Sequence, residues 1–316
     1  SCNKSSSSPK PSASVSSVSA PASASAKASS SPTKKPTMVT NLDQIKVSGE
    51  DGKAPKVEGA WPLAIAKTES KILKEGTGEK VDKNATLKVN YVGVNGRTGK
   101  EFDSSYKRGT TADFPLAQVV PGFAKVLVGK HQGDRVLIMM PGSDGYDSQG
   151  GAPQAGIMKG DSLIFVVDIV AIPLPKATGE TVKPAAGLPT VKEVQGAPAV
   201  TIGKATKPNK LVVQPLIKGK GAAVTAHDSI DVKYRTYAWS SGELIEDGYS
   251  GEPVTGSMNS VIPGWKKGLI GQTVGSRVML IVPPADAYPN GSTNPPVKKG
   301  ETLIYVIDIL SAQKES

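Results

Sequence analysis

Apolar residues follow two different patterns along this chain. They alternate with polar residues at positions 87, 89 and 91, and again at 230, 232 and 234. Alternation with a period of two indicates a half-buried β-strand. Almost continuous apolar runs, which are typical of central strands, cover residues 136–140, 163–170, 278–282 and 303–310.

A short segment with helical spacing follows a proline in each half of the chain. Apolar residues at 123, 126 and 127 come after Pro121, and those at 265, 269 and 270 come after Pro263. Proline is favoured in the first turn of a helix. Each half therefore predicts a mostly antiparallel sheet with one short helix, an α+β fold. Matching preludes at 45–57 and 191–200 are predicted to add a strand to each sheet.

The two halves are copies of one domain. Val119–Phe123 recurs as Val261–Trp265, 142 residues later, and Leu163 recurs as Leu303, 140 residues later. We therefore predict a tether over residues 1–40, a first domain over 41–173, a linker over 174–187 rich in Pro, Lys and Thr, and a second domain over 188–316.

The amino-terminal tether is composed mainly of Ser, Ala, Pro and Lys. With almost no large apolar residue, residues 1–40 are predicted to be disordered. Cys2, the single cysteine, stands directly before this spacer and resembles the mature end of a bacterial lipoprotein, where the cysteine carries the lipid. The plainer alternative is an incidental surface cysteine. No other stretch is apolar enough to span a bilayer, so any membrane contact is expected through a lipid on Cys2.

Charge and residue counts disfavour two other classes of function. The net charge is +10, but five of the lysines lie in residues 1–40, and no basic stripe follows a predicted helix. Nucleic-acid binding is therefore not expected. One cysteine permits no disulfide within the chain and no cysteine-based metal site. His131 and His227 stand alone in polar turns, so neither a metal nor another cofactor is predicted.

Several motifs of the first half point to a known family. They are Asn90–Gly93, Gly99–Ser105, Val119–Phe123, Tyr146 and Leu163–Phe165. Together they resemble the FKBP-type peptidyl-prolyl isomerases, the macrolide-binding family, over about residues 70–172 and, more loosely, 210–311. The resemblance implies two domains, each a twisted antiparallel sheet wrapped around one short helix, and the interconversion of cis and trans Xaa-Pro bonds.

That reaction explains the residue types. Rotation about an amide has a barrier of about 18–20 kcal/mol because resonance is lost, and no covalent bond needs to break. The enzyme needs an apolar cavity for the pyrrolidine ring and a few fixed dipoles that favour the twisted amide. Aromatic walls with few titratable groups meet that need, and no cofactor is required.

The resemblance implies a role for eleven residues of the first half. Phe123 forms the pocket floor, and the Val120 N–H and the Tyr146 hydroxyl donate to substrate carbonyls. Asp103 polarises the substrate side and is held by pairing with Arg108. The walls and the overhanging loop are formed by Tyr91, Phe102, Phe114, Val119, Phe165 and Ile157.

Each of these residues also has a plainer interpretation. Tyr91, Phe102 and Phe165 suit the core of a sheet, and Asp103 before two serines suits a turn. The joint occurrence of the motifs at family spacing favours the pocket. The family usually has Trp where Phe123 stands, so we expect a smaller floor without an indole N–H. That change bears on pocket depth and macrolide affinity rather than on activity itself.

The second half keeps most apolar residues of the family motifs but differs from the first half at the polar positions. Ile245 replaces the aromatic wall, Glu246 replaces the aspartate, no Arg follows, and Gly256 stands opposite Phe114. A longer carboxylate at 246 is not expected to occupy the position of Asp103, and Asp247 could do so only after a register change that flips strand faces. The predicted second pocket comprises Tyr234, Ile245, Glu246, Val261, Ile262, Trp265, Tyr288, Val297 and Tyr305.

The resulting prediction is a lipid-anchored, extracytoplasmic peptidyl-prolyl isomerase at the bacterial cell surface. The first domain catalyses, and the second is a degenerate partner that binds or scaffolds. Its expected partners are unfolded or exported polypeptides with Xaa-Pro bonds, and macrolide inhibitors. The alternative is a non-catalytic surface lipoprotein, a chaperone, adhesin or adaptor, that captures proline-containing peptides.

Overall fold

A computed structural model describes residues 34–315 of the chain. Within them the chain divides after Ile172 into two compact units. Of the tether predicted over residues 1–40, the part up to residue 33, with Cys2, lies outside the described residues. The predicted disorder is wrong for the end of this segment, because Thr37 and Met38 pair with Leu63 and Ala64 and Val39 is buried. No helix in the described part is long and apolar enough to cross a membrane. Nor does any group of three or more His, Cys, Asp or Glu side chains within residues 34–315 have the arrangement of a metal site.

The first unit is built on a six-stranded antiparallel sheet. Its order is β5-β9-β12-β6-β7, and β8 also pairs with β6. Short 3-10 helices cover Leu42–Gln44, Gly142–Asp144, Asp147–Gln149 and Pro153–Ala155. The other elements are β1 (Thr37–Met38), β2 (Lys46–Ser48), β3 (Lys56–Glu58), β4 (Leu63–Ala64), β5 (Glu69–Lys74), β6 (Thr86–Asn95), β7 (Glu101–Ser104), α1 (Ser105–Arg108), β8 (Ala112–Pro115), α2 (Pro121–Leu127), β9 (Arg135–Met140), β10 (Gly151–Ala152), β11 (Ile157–Met158) and β12 (Leu163–Ala171).

The central strand β12 is apolar along its length because both faces of the sheet are covered. Phe165 and Val167 point to the face that carries α2 and belong to the main core. Ile164 and Val166 point to the opposite face and pack in a second cluster with residues of the amino-terminal segment, such as Leu42. Successive side chains of a strand alternate between faces, so one run serves two cores.

The helix α2 lies close against the sheet because a glycine follows its first proline. A Cβ built on Gly122 would come within 2.6 Å of the end of the Met140 side chain, so any larger residue would require Met140 to move. Val120 is the N-cap residue of the helix, and Pro121 occupies the first turn. The pair Pro121–Gly122 therefore positions the buried Phe123 against the sheet.

The prelude of the first unit does not extend the main sheet, contrary to the sequence prediction. β2 and β3 pair only with each other as a hairpin, and β1 pairs with β4. The hairpin is held by Arg135, whose Nη2 donates to the Lys53 carbonyl at 2.9 Å. The segment before β5 covers the face of the sheet opposite α2. Its apolar positions therefore pack against strands without hydrogen-bonding to them.

The second unit repeats this plan with a seven-stranded sheet. Its order is β13-β16-β20-β21-β17-β18, and β19 also pairs with β17. A 3-10 helix covers Pro284–Asp286. The elements are β13 (Gly179–Thr181), β14 (Thr190–Val194), β15 (Ala197–Thr201), β16 (Val212–Gly219), β17 (Asp228–Ala238), β18 (Leu244–Asp247), β19 (Val254–Ser257), α3 (Pro263–Leu269), β20 (Arg277–Val282) and β21 (Leu303–Lys314).

Part of the segment predicted as a linker belongs to this sheet. β13 pairs antiparallel with the end of β16, with Glu180 opposite Lys218. These three exposed residues form an edge strand because their backbone groups find partners on β16. This pairing corrects the sequence prediction, which placed residues 174–187 outside both domains.

The prelude of the second unit is also a separate hairpin, β14 with β15. Val191 and Val200 pack against the cluster that contains Met279 and Ile281, on the outer face of the sheet. Arg277 of β20 donates to Glu193 at 2.7 Å and thereby ties the hairpin to the sheet. Each prelude is therefore anchored by the arginine that begins the strand following the helix.

Candidate functional site

Five aromatic rings meet on the α2 side of the first sheet. Each ring comes from a different element, and their closest centroids are 4.6 Å apart, between Phe123 of α2 and Phe165 of β12. Phe114 of β8 lies 4.9 Å from Phe123 and 5.1 Å from Tyr91 of β6. Phe102 of β7 meets Phe165 edge to face at 5.6 Å. Tilted and edge-to-face pairs of this kind are favourable contacts for aromatic rings.

A glycine makes room for two of these rings. A Cβ built on Gly93 would come within 2.6 Å of Phe102 and 2.9 Å of Phe165. Gly93 pairs with Asp103 across β6 and β7, so the strand passes directly beneath the rings. Gly93 ends the motif Asn90–Gly93, but no role in the cluster was predicted for it. Its position two residues after Tyr91 puts it on the same face of β6, which is the feature of the sequence that indicates such a role.

Asp103 lies at the edge of the aromatic cluster and is satisfied by neutral and charged donors. The Tyr91 hydroxyl donates to one of its carboxylate oxygens, and the Arg108 guanidinium donates to the other. The Ser104 N–H also donates to it at 2.9 Å. The Asp103 side chain is 3% exposed and that of Arg108 is 28% exposed. A buried carboxylate of this kind requires such compensation.

Arg108 also lies over the face of Tyr91, with its guanidinium carbon 5.7 Å from the ring centroid. Its Nη2 is 3.4 Å from the Tyr91 hydroxyl. Helix α1 places the arginine there, because Ser104 caps its start and Gly109 ends it in a left-handed conformation. Tyr91, Asp103 and Arg108 therefore form one hydrogen-bonded unit.

Tyr146 carries a hydroxyl that no residue of the described part satisfies. The side chain is 1% exposed, and its oxygen has no hydrogen-bond partner. Burial, followed by the nearby Asp103 charge, raises the pKa of Tyr146 well above its ordinary value. The hydroxyl therefore stays protonated and can donate. Leaving such a group unpaired in a buried position costs about 1–3 kcal/mol, which a ligand oxygen could offset.

The remaining predicted residues complete the walls. Val119 and Val120 precede α2, and Ile157 belongs to the β10–β11 hairpin. Nine predicted residues share one apolar core cluster: Tyr91, Phe102, Phe114, Val119, Val120, Phe123, Tyr146, Ile157 and Phe165. Asp103 and Arg108 join it through their hydrogen bonds. The structure thus brings all eleven together.

The cluster is closely packed, and its solvent-facing part is small. Phe102 and Asp103 are each 7% exposed and Val119 is 6% exposed, whereas Phe123 and Phe165 are fully buried. Phe102, Asp103 and Val119 therefore form the part of the cluster that borders solvent. The missing indole does not leave an open floor, because Phe114 and Phe165 pack directly on Phe123.

The second unit presents a matching cluster around α3. Trp265 packs edge to face on Tyr234, at 4.9 Å between centroids, and on Tyr305, at 5.5 Å. The Trp265 Nε1–H is buried, and no residue of the described part accepts from it. The predicted apolar residues gather in one core cluster or pack against it: Tyr234, Ile245, Val261, Ile262, Trp265, Tyr288, Val297 and Tyr305.

Glu246 takes the position of Asp103, which corrects the sequence prediction. It pairs with Thr236 across β17 and β18, at the register position where Asp103 pairs with Gly93. The Tyr234 hydroxyl donates to Glu246 at 3.0 Å, and so does the Thr236 hydroxyl. The longer side chain folds back to the tyrosine, so no register change is needed. Asp247 instead points the other way and pairs with Arg235 at 3.0 Å.

The comparisons with known proteins agree with this arrangement. A sequence profile of the family described as FKBP-type peptidyl-prolyl cis-trans isomerase matches residues 77–170 and, separately, 220–310. The two matches span more than half of the chain. The chain belongs to this family. It carries two FKBP domains in tandem, each a twisted antiparallel sheet with a short helix, as the sequence predicted.

Three similar proteins illustrate the relationship. A probable FK506-binding protein of Corynebacterium glutamicum is 32% identical over 117 residues, which cover 36% of this chain and 98% of that protein. An FK506-binding protein of Streptomyces anulatus is 39% identical over 100 residues, 31% of this chain and 80% of that protein. The FKBP-type peptidyl-prolyl cis-trans isomerase FkpA of Aeromonas hydrophila is 35% identical over 111 residues, 35% of this chain and 40% of that protein. Each match is about the length of one FKBP domain.

The two FKBP domains differ in how far their clusters open to solvent. Val120 is fully buried in the first domain, whereas the corresponding Ile262 is 8% exposed. Tyr146 is 1% exposed, whereas Tyr288 is only partly buried. Phe114 has no counterpart, because Gly256 occupies its register position opposite Ile230. The second cluster is therefore the more accessible of the two.

Proposed function

We propose that the protein is a peptidyl-prolyl cis-trans isomerase whose first FKBP domain carries the activity. One observation carries this proposal: the buried Tyr146 hydroxyl has no partner in the described part of the chain and lies near the Tyr91–Asp103–Arg108 unit, inside an aromatic cluster. A donor held in place without an acceptor suits a substrate carbonyl. Preorganised donors of this kind stabilise a transition state without reorganising.

The proposed reaction is rotation about the Xaa-Pro amide bond. The pyrrolidine ring would enter past Phe102 and contact Phe123 and Phe165, which exclude water from the amide. The Tyr146 hydroxyl and the Val120 N–H at the start of α2 would each hold one substrate carbonyl. As the amide twists, its resonance is lost and its polarity falls, so an apolar surrounding favours the twisted form over the planar form.

Asp103 would act on the substrate side of the pocket as a fixed dipole. Its charge is already balanced by Arg108 and by the Tyr91 hydroxyl, so it does not need to transfer a proton. The unit of three residues instead keeps Tyr91 and Phe102 in place at the mouth. Asp103 is therefore proposed as a residue that polarises and orients, consistent with a reaction that breaks no covalent bond.

The second FKBP domain is proposed as a binding module with slow turnover. Its cluster keeps Trp265 and Tyr234, so an apolar ring can be accepted. It differs from the first domain in two ways. Ile245 stands where the first domain has Phe102, and Glu246 accepts hydrogen bonds from neutral hydroxyls only. The domain would hold a proline segment while the first domain acts on another.

The setting of the protein is also a proposal. The cysteine at position 2, followed by a tether rich in Ser, Ala and Pro, supports a lipid-anchored protein at the bacterial cell surface. Its substrates would then be exported or unfolded polypeptides that expose Xaa-Pro bonds. Two relatives are named FK506-binding proteins, which supports binding of a macrolide inhibitor by the same socket.

A second function is favoured by the tight packing of the first cluster. Phe123 and Phe165 are fully buried and contact each other. In this second function the aromatic cluster of the first domain is part of the hydrophobic core and binds no substrate. The protein would then be a non-catalytic lipoprotein that captures proline-containing peptides, through the more accessible second domain.

A coupled isomerisation assay on an Xaa-Pro peptide tests the proposal with the whole chain. Tyr146→Phe removes one hydroxyl that holds no structural bond, so it should lower kcat/KM by about tenfold to a hundredfold while leaving the thermal unfolding curve unchanged. Tyr288→Phe, the matched change in the second domain, should leave the rate near that of the wild type. Wild-type activity at background level would refute catalysis and support the binding protein.

A further inference from the structure

The rim beside the carboxylate has opposite charge in the two domains. We define the rim as the segment from the turn before β7 to the start of β8, residues 99–112, and its counterpart at residues 242–254. The paired registers place these segments in the same position. The first rim has three basic and two acidic residues, a net charge of +1. The second has four acidic residues and no basic one, a net charge of −4.

Most of the second rim's negative charge is not neutralised within the domain. Asp247 is paired with Arg235. Glu246 receives its two hydrogen bonds from the neutral hydroxyls of Tyr234 and Thr236. Among the residues that the structure describes, no lysine or arginine lies within ion-pair distance of Glu243, Glu246 or Glu252. By contrast, Asp103 has Arg108 in the first domain.

The lysines near this cluster in sequence lie outside the rim. Lys266 follows Trp265 on α3, and Lys298 and Lys299 follow Val297. Lys267 is already paired with Asp286 at 2.8 Å. The rim itself contains no basic residue, so the charges of Glu246 and Glu252 are not balanced within it. A cationic group of a ligand would be drawn to this rim.

The aromatic cluster of the same domain holds an unused hydrogen-bond donor. The Trp265 side chain is fully buried, and no residue of the described part accepts a hydrogen bond from its Nε1–H. Its ring packs on Tyr234, the residue whose hydroxyl holds Glu246. A peptide carbonyl could accept from the indole N–H, and a basic side chain of the same peptide could balance the carboxylate.

We propose that the second FKBP domain selects proline segments in which a lysine or arginine adjoins the proline, and that Glu246 and Glu252 determine this preference. The inference rests on the proposed function, in which this domain holds a proline segment. The first domain, with its paired Asp103 and Arg108, would lack the preference. The two sockets would then take different segments: the first those with an apolar residue before proline, the second those with a basic one.

The test uses the indole N–H signal of Trp265 in the whole chain, followed by NMR. The first domain has Phe123 in place of this tryptophan, so the signal reports on the second socket alone, and Trp265→Phe identifies it among the signals of Trp61 and Trp239. Three blocked tetrapeptides serve as probes: Ala-Lys-Pro-Ala, Ala-Leu-Pro-Ala and Ala-Glu-Pro-Ala. At low salt the Lys-Pro peptide should bind about twofold to tenfold more tightly than the Leu-Pro peptide, and the Glu-Pro peptide most weakly.

The preference should disappear when its charges are removed or screened. Glu246→Gln keeps an acceptor for Tyr234, and Glu252 is exposed without a described contact, so the double glutamine variant should fold and bind the three peptides alike. High salt should have the same effect. Glu180→Gln, on the edge strand of the same domain, is the matched control and should keep the preference.

Three outcomes would overturn the inference: equal affinity for the three peptides at low salt, a preference that survives the double variant, or no change of the Trp265 signal with any peptide. None of these depends on catalysis by the first domain. The isomerase rate of the wild type against Tyr146→Phe reports on that proposal separately.

Discussion

Tyr91 donates its hydroxyl hydrogen to Asp103 on the neighbouring strand, and the second domain repeats this contact with a different acid. There, Tyr234 donates to Glu246 at 3.0 Å. Glu246 is one methylene longer than Asp103, yet the strand register is unchanged. Arg108, the cation that balances Asp103, has no counterpart in the second domain. The tyrosine–carboxylate contact is thus common to both domains, and its charge environment is what separates them.

The first prediction concerns Gly93 and Phe102. A Cβ at position 93 would lie 2.6 Å from Phe102, and the second domain has Thr236 with Ile245 at these two positions. Gly93→Thr should therefore destabilise the first domain by about 1–3 kcal/mol, and Phe102→Ile added to it should recover much of the loss. Hydrogen exchange at the amides of β12 measures the stability of this domain alone. Additive effects of the two changes would show that the positions are not coupled.

The second prediction concerns the cation beside Asp103. Arg108→Gln leaves a carboxylate whose side chain is only 3% exposed without its charged partner. Because hydrogen bonds to charged groups contribute about 1.5–3 kcal/mol, we expect a loss of that order in the stability of the first domain, together with a slower isomerase rate. Lys107→Gln is the control, since its ion pair with Glu101 is exposed and should contribute under about 1 kcal/mol. If Arg108→Gln changed neither the stability nor the isomerase rate, Arg108 would not be needed to hold Tyr91 and Asp103.

The third prediction concerns the pocket floor. Phe123 is fully buried between Phe114 and Phe165, with centroids 4.9 and 4.6 Å away. Phe123→Trp, which introduces the residue usual in the family, should overpack this site and destabilise the domain by about 1–3 kcal/mol. We expect no gain in macrolide affinity, as measured by calorimetry. A variant that is as stable as the wild type and binds a macrolide more tightly would show that the floor has spare room.

The fourth prediction concerns the arginine that anchors the second prelude. Arg277 donates to the buried Asp308 at 2.7 and 3.0 Å, and the Asp308 side chain is 4% exposed. Arg277→Met leaves that carboxylate buried and uncompensated, so it should cost the second domain about 3–5 kcal/mol. Adding Asp308→Leu should restore most of the loss, because an apolar pair replaces the ionic one. Hydrogen exchange at the amides of β21 measures both variants, and equal loss in the single and double variants would contradict this explanation.

Much of the fold follows from local patterns. The alternation at Leu87, Val89 and Tyr91 matches β6, and the apolar run after Leu163 matches β12. Pro121 and Pro263 each begin the predicted helix. These features are set by the periods of strands and helices and by the fixed φ angle of proline, so they can be read without knowing the neighbours.

The parts that were wrong depend on partners distant in sequence. The preludes form separate hairpins because their apolar residues cover the outer face of each sheet, and β13 joins a sheet although its three residues are exposed. The reach of Glu246 back to Tyr234 depends on the path of β18 beside β17. A pattern of apolar positions states which residues are buried but not which surface buries them.

The candidate site shows the same division. The chemical types at 91, 103, 120, 123 and 146 could be assigned from motif spacing. Their packing could not, because it depends on contacts between elements, such as the space that Gly93 leaves for Phe102 and Phe165 and the contact of Phe114 with Phe123.

Sequence alone determined that this chain is a duplicated α+β domain of a recognisable family, since strand period, proline position and motif spacing are local properties of the polymer. Only the tertiary structure decided that Asp103 is neutralised while Glu246 is not, and that the Tyr146 hydroxyl and the Trp265 indole are left without partners in the described chain. Charge balance and hydrogen-bond satisfaction depend on which groups meet in space, and those meetings arise from strand pairings between distant segments.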